Sequence, residues 1–155
     1  KLPMPIINKG GCNFSFAGLK TAVLKISSTI KTEQEKFDLA ASFQNTIERI
    51  IFKKTKVAFN EYLQINNNYS KNFVVAGGVA ANKNIRKIIE KVSDENNFNV
   101  FFPNLDLCGD NAAMIALVGL EKYKNNLFDT HDFKANPRWQ LDENAKFLKG
   151  SGVKI

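Results

Sequence analysis

The sequence predicts an α/β fold, with parallel strands joined by crossover helices. Two short β-favouring runs carry this reading, Phe73-Val74-Val75-Ala76 and Asn99-Val100-Phe101-Phe102. Each is followed by apolar residues at helical spacing: Val79, Ile85, Ile88, Ile89 and Val92 after the first, then Ala113, Ile115, Leu117, Val118 and Leu120 after the second. Strand, helix, strand, helix is the order that pairs its strands in parallel through right-handed crossovers. With 155 residues, 44% hydrophobic and 24% charged, the chain has the size and composition of one ordinary globular domain.

Taken in order, residues 1–21 are punctuated by Pro and Gly. Within them, Asn13-Phe14-Ser15-Phe16-Ala17-Gly18 alternates aromatic with small or polar residues, as a short strand or strand-like loop does. Thr32, with Glu33 and Glu35 behind it, supplies the cap and first-turn acids of a helix start. Phe37, Ala40, Phe43, Ile47, Ile50, Ile51 and Ala58 then recur at spacings of three and four, which predicts one long amphipathic helix. A polar loop over 66–72 leads into the first strand. Gly77-Gly78 halts that strand and hands it over to a helix, Pro103 stops the second strand, and Asp110 opens the last apolar helix. Beyond Tyr123 the pattern fades into an irregular tail that contains Pro137-Arg138-Trp139 and frays at its Lys-rich end.

Several function classes are excluded or weakened by composition. The longest uncharged apolar stretch, residues 112–120, is about half of the ~20 residues that a membrane-spanning helix needs. Cys12 and Cys108 lie far apart with no second cysteine near either, so no disulfide framework or thiolate zinc site is expected, and the chain reads as cytoplasmic. Lys1-Leu2-Pro3-Met4-Pro5, without an initiator Met or an apolar leader, reads as the interior of something longer. The net charge of +7 invites an RNA partner. Only Arg49, Arg86 and Arg138 among the 22 basic residues carry the planar fork suited to phosphate, however, and Lys and Asn rising together are what an AT-rich genome gives.

Two places bear chemistry. Gly77 and Gly78, between a strand and a helix, remove the Cβ atoms that keep a nucleotide off the backbone; the same pair also serves as a plain tight turn. Asp110, at the tip of a strand-to-helix connection, is either a metal-binding carboxylate or a helix N-cap. His131 is the single histidine, reads as a surface residue, and excludes a His pair within the chain; Lys20 reads as a solvated charge with a weak claim to phosphate or RNA.

Four ordered blocks carry a resemblance: 14–23 (FSFAGLKTAV), 75–82 (VAGGVAAN), 108–114 (CGDNAAM) and 137–139 (PRW). Together they resemble the C-terminal half of the bacterial tRNA threonylcarbamoyladenosine transferase family, TsaD, once called O-sialoglycoprotein endopeptidase. The resemblance implies one lobe, residues 1–125, of the actin-like, sugar-kinase and heat-shock ATPase superfamily, with an irregular tail over 126–155. It implies transfer of a threonylcarbamoyl group from threonylcarbamoyl-AMP to the exocyclic amine of the adenosine beside the tRNA anticodon. It places the family's nucleotide contact on Asn82, with Gly77 and Gly78 beside it, and a ligand to one divalent metal, iron or zinc, on Asp110. No catalytic residue is assigned. The implied partners are tRNA, the adenylate or an adenine nucleotide, and TsaB-like and TsaE-like proteins, with no membrane.

The family's HxxxH metal ligands and first-lobe glycine loop belong to an N-terminal half that this sequence does not contain. The family's usual Asp just before the first block is here Asn13, and the block's second Ser is Ala17, changes that suit a structural role for that block. Alternative readings are a non-catalytic nucleotide-binding or partner-binding remnant of the same family, or a sugar-kinase-like lobe of other purpose.

Overall fold

The computed structural model describes residues 1–65, 70–132 and 134–135. They form four α-helices, α1 (Ala17–Ser27), α2 (Glu33–Ile65), α3 (Lys83–Glu95) and α4 (Ala112–Lys124), and two strands, β1 (Asn72–Val74) and β2 (Asn99–Phe101). Short 3₁₀ turns occupy Gly78–Ala81 and Leu105–Leu107. The strands pair in parallel, as the order of elements predicts, with Phe73 opposite Val100 and α3 as the connection between them. The chain divides into two compact units, Lys1–Asp110 and Asn111–Ile155.

The spine of the first unit is α2. Its start is a capping box: Thr32 Oγ1 accepts from the Glu35 N–H at 3.2 Å while Glu35 Oε2 accepts from the Thr32 N–H at 3.1 Å. The Lys31 N–H first, and then the Thr32 N–H, both donating to Oε2, hold the Glu35 carboxyl below its ordinary pKa. Along its length α2 serves two apolar clusters. Ile50 joins Leu2 and Leu19, with Met4, Val23, Leu39 and Ile47 packed around them. One helical stretch further on, Phe59 joins Val92 of α3 and Phe98, with Phe73 of β1 against them. Phe59 stacks on Phe98 at 3.9 Å between ring centroids and meets Phe73 edge-on at 5.0 Å. This aromatic cluster fastens the parallel pair to the spine.

Between the clusters lies Lys54, 2% exposed. Its Nζ donates to the Lys9 and Gly11 carbonyls, both at 2.9 Å, and so ties the N-terminal segment across α2. The cost of burying an ammonium is offset where its donors meet acceptors, as two of the three do here.

Three expectations need correction. Residues 13–16 are not a strand, and α1 begins at Ala17. The alternation of Phe14 and Phe16 instead stacks the two rings on each other, 6.0 Å apart, with no strand paired to them among the described residues. Gly77-Gly78 does not open an α-helix. A 3₁₀ turn intervenes, and α3 starts after Asn82, which caps it. The cap of α4 is Asn111, whose side chain accepts from the Met114 N–H at 3.0 Å, so Asp110 is one residue too early to be that cap. The polar loop over 66–69 and the block 137–139 lie outside the described residues.

Both α3 and α4 end alike. Asn97 and Asn126 take left-handed φ of 57° and 55° just past their helices. The Phe98 N–H then reaches back to the Ser93 carbonyl, and the Leu127 N–H to the Lys122 carbonyl, each at 2.9 Å, which are Schellman closures with Asn where Gly is usual.

Candidate functional site

Parallel pairing sets the location of the site. Because β1 and β2 run the same way, the glycine turn after β1 and the loop after β2 leave the same carboxyl edge, where α/β sheets bind ligands. One side chain fastens these two exits together. Arg86, on the first turn of α3, donates from Nε to the Ala80 carbonyl and from Nη2 to the Pro103 carbonyl at 2.9 Å, and its Nη2 also meets Cys108 Sγ at 3.2 Å. Its guanidinium lies over the Phe102 ring, 4.8 Å from the centroid. A planar fork with several fixed donors is suited to such a junction in a way that an ammonium is not.

At the first exit Gly77 has φ 89° and ψ 170°, a conformation close to exclusive to glycine. Gly78 has no such need, and a Cβ built on it meets nothing within 4 Å. The two glycines therefore differ: Gly77 is required by the turn, while Gly78 leaves open space. That space belongs to a cavity of about 850 Å³ lined by Gly78, Val79, Asn82 and Ile85 on one side and by Phe43, Gln44, Ile47 and Ile51 of α2 on another. Phe14, Phe16, Lys20 and Val23 complete the lining. The volume suits a drug-sized or nucleotide-sized ligand, and the mostly apolar walls with a few polar groups are those of a ligand site.

Asn82 is the best-anchored polar group there. Its Oδ1 accepts from the Asn84 and Ile85 N–H groups, at 3.0 and 3.1 Å, which caps α3. Its Nδ2 donates to Gln44 Oε1 at 3.2 Å. Of the residues singled out in the sequence, the structure thus brings together Gly78, Asn82 and Lys20 on one cavity. Gly77 adjoins it without lining it.

Asp110 lies at the end of the second exit, exposed, with no hydrogen bond or ion pair holding its carboxylate among the described residues. No group of three or more His, Cys, Asp or Glu side chains able to hold a metal occurs among the described residues. The described side chains therefore do not compose a metal site by themselves, and Asp110 stands there as a single carboxylate. His131 is exposed.

The sequence reading missed Gln44 and Arg86. Gln44 carries a legible signal: with Ala40, Ile47 and Ile51 it falls at spacings of three and four, a polar residue inside the apolar stripe of α2. Arg86 carries none, because its partners Pro103 and Cys108 are distant in sequence.

A family model described as TsaD, tRNA N6-adenosine threonylcarbamoyltransferase, matches residues 1–117. The chain belongs to this TsaD family. Among curated relatives, a tRNA N6-adenosine threonylcarbamoyltransferase of Pelagibacter ubique is 61% identical over all 155 residues, which make up 43% of that protein. Enzymes of the same name from Rickettsia conorii and Rickettsia rickettsii are each 47% identical over 146 residues, 92% of this chain and 42% of theirs. The chain thus spans about two fifths of the length of the TsaD relatives it matches. Its helices include none long and apolar enough to cross a membrane among the described residues.

Proposed function

We propose that this chain is the C-terminal lobe of a TsaD-type transferase, of actin-like architecture, and that it contributes half of the site that moves a threonylcarbamoyl group from threonylcarbamoyl-AMP to the anticodon-adjacent adenosine of tRNA. The observation that carries the reading is the cavity at the carboxyl edge, where Asn82 and the open backbone at Gly78 face a space of nucleotide size. Asn82 donates to the nucleotide; Gly78 allows the ligand close to the backbone; Lys20 offers a positive charge to phosphate. Asp110 contributes one ligand to a divalent metal, iron or zinc, whose remaining ligands come from the N-terminal part of the protein. Such a metal supplies Lewis-acid polarisation of the transferred group. TsaB-like and TsaE-like proteins are the expected partners and the cytoplasm, where tRNA is modified, the expected location.

A test uses the completed protein, this chain joined to the remaining N-terminal part of the Pelagibacter ubique relative. Asp110→Asn retains size and removes the charge that holds a cation. Metal content and tRNA threonylcarbamoylation should fall together, with the melting temperature little changed. An active, metal-replete Asp110→Asn protein would remove Asp110 from the site.

A further inference from the structure

Resting on the reading of Asn82 as a nucleotide contact, we propose that Gln44, held by Glu48, is the positioning residue that aims a single Asn82 N–H at an acceptor atom of an adenine nucleotide. The argument is one of hydrogen-bond direction. A carboxamide has two N–H donors and an oxygen with two lone pairs, and only its neighbours decide which end points where. At Asn82 two backbone N–H groups, of Asn84 and Ile85, fix Oδ1 toward the start of α3. Nδ2 must then face the other way, toward α2. At Gln44 the Glu48 carboxylate accepts from Nε2 at 2.8 Å, which fixes Oε1 toward Asn82. That oxygen accepts from Asn82 Nδ2 at 3.2 Å, and a longer contact of 3.5 Å runs from Gln44 Nε2 to Asn82 Oδ1.

Every orientation in the chain Glu48, Gln44, Asn82 and the α3 backbone is therefore consistent in sense, with an acceptor-only group at one end and donor-only groups at the other. Asn82 is left with its oxygen fully used and one Nδ2 hydrogen without a partner among the described residues, on a side chain that lines the cavity. It can recognise an acceptor and cannot recognise a donor, which limits its ligand contact to a hydroxyl, carbonyl or phosphate oxygen or an unprotonated ring nitrogen. Gln44 and Asn82 are 38 residues apart and sit on different elements, α2 and the α3 cap, so their bond also fixes the width of the cavity between them.

The test measures AMP affinity of the completed protein in a double-mutant cycle. Asn82→Ser keeps a good N-cap without the carboxamide N–H, and Gln44→Met keeps the size of the side chain without the acceptor. Each alone should weaken AMP binding roughly 3- to 10-fold, the worth of one hydrogen bond. In the Asn82→Ser background, Gln44→Met should add nothing. Glu48→Ala, which frees the Gln44 amide to turn, should weaken binding in the same direction and again only while Asn82 is present. If Asn82→Ser binds AMP as wild type does, the underlying nucleotide reading falls and this one with it. If Asn82→Ser weakens binding but Gln44→Met does not, or does so additively, the nucleotide reading stands and the positioning role of Gln44 is refuted.

Discussion

Asp110 and Asn111 illustrate how far one residue's placement changes its expected chemistry. With Asn111 capping α4, Asn111→Ala should cost about 1 kcal/mol of stability, the usual loss for an N-cap. Asp110→Ala, at an exposed position, should stay within about 0.5 kcal/mol of wild type. Urea melts of the two variants separate a cap from a residue kept free for another purpose; an Asp110→Ala loss as large as that of Asn111→Ala would return Asp110 to a structural role. Cys12 offers a pH test. Burial pushes its thiol above the ordinary pKa, helped by the hydrogen bond to Glu61 and by that group's negative charge, while the Lys54 charge pulls it back. A raised folded-state pKa means that the neutral thiol stabilises the fold below the ordinary thiol pKa, and that this contribution is lost as pH rises through the folded value. Alkylation by iodoacetamide should therefore reach its midpoint at higher pH in the folded protein than in urea. Glu61→Gln should bring that midpoint down; no movement would contradict the assigned cause.

The elements show which parts of the fold a sequence discloses. The helix α2 was legible from Thr32 onward because a 3.6-residue period sustained over many turns, with an acid-bearing first turn, has no competing interpretation. The two strands followed from β-favouring runs punctuated by Gly77-Gly78 and Pro103, and their parallel sense from the helix between them. The segment around Phe14 and Phe16 misled because alternation reports that two rings share a side, and whether a neighbouring strand exists is non-local information. The start of α3 was displaced for a related reason: Val79 fits the helical period, but the glycine conformation at 77 and the Asn82 cap delay the α-helix past a 3₁₀ turn. Arg86, on α3, was hidden as a junction because the carbonyls it holds follow two different strands. Arg86→Lys retains the charge and loses the fork, so it should lower stability by about 1–3 kcal/mol through unpaired carbonyls. Thermal unfolding of the variant checks this, and a wild-type melting curve would show that the two exits are held by other means.

On the scale of the whole molecule, the proposed function makes the polar groups of this chain one half of a site. Asn82 and Gly78 line a cavity at the carboxyl edge, and Asp110 ends the neighbouring exit as a lone carboxylate without companion metal ligands among the described residues. The candidate nucleotide positions were legible as a motif, since Gly77, Gly78 and Asn82 lie within one short run of sequence. The network behind them was not, because Gln44 reaches Asn82 only once α2 and α3 have packed. A single carboxylate gives neither a closed coordination sphere nor a fixed geometry, so transfer should need the N-terminal part. The measurement that tests this most directly is formation of threonylcarbamoyladenosine in tRNA supplied with threonylcarbamoyl-AMP, by the 155-residue chain and by the completed protein side by side. Product should form with the completed protein and not with the chain alone. Product from the chain alone, or none from a folded completed protein, would contradict this expectation.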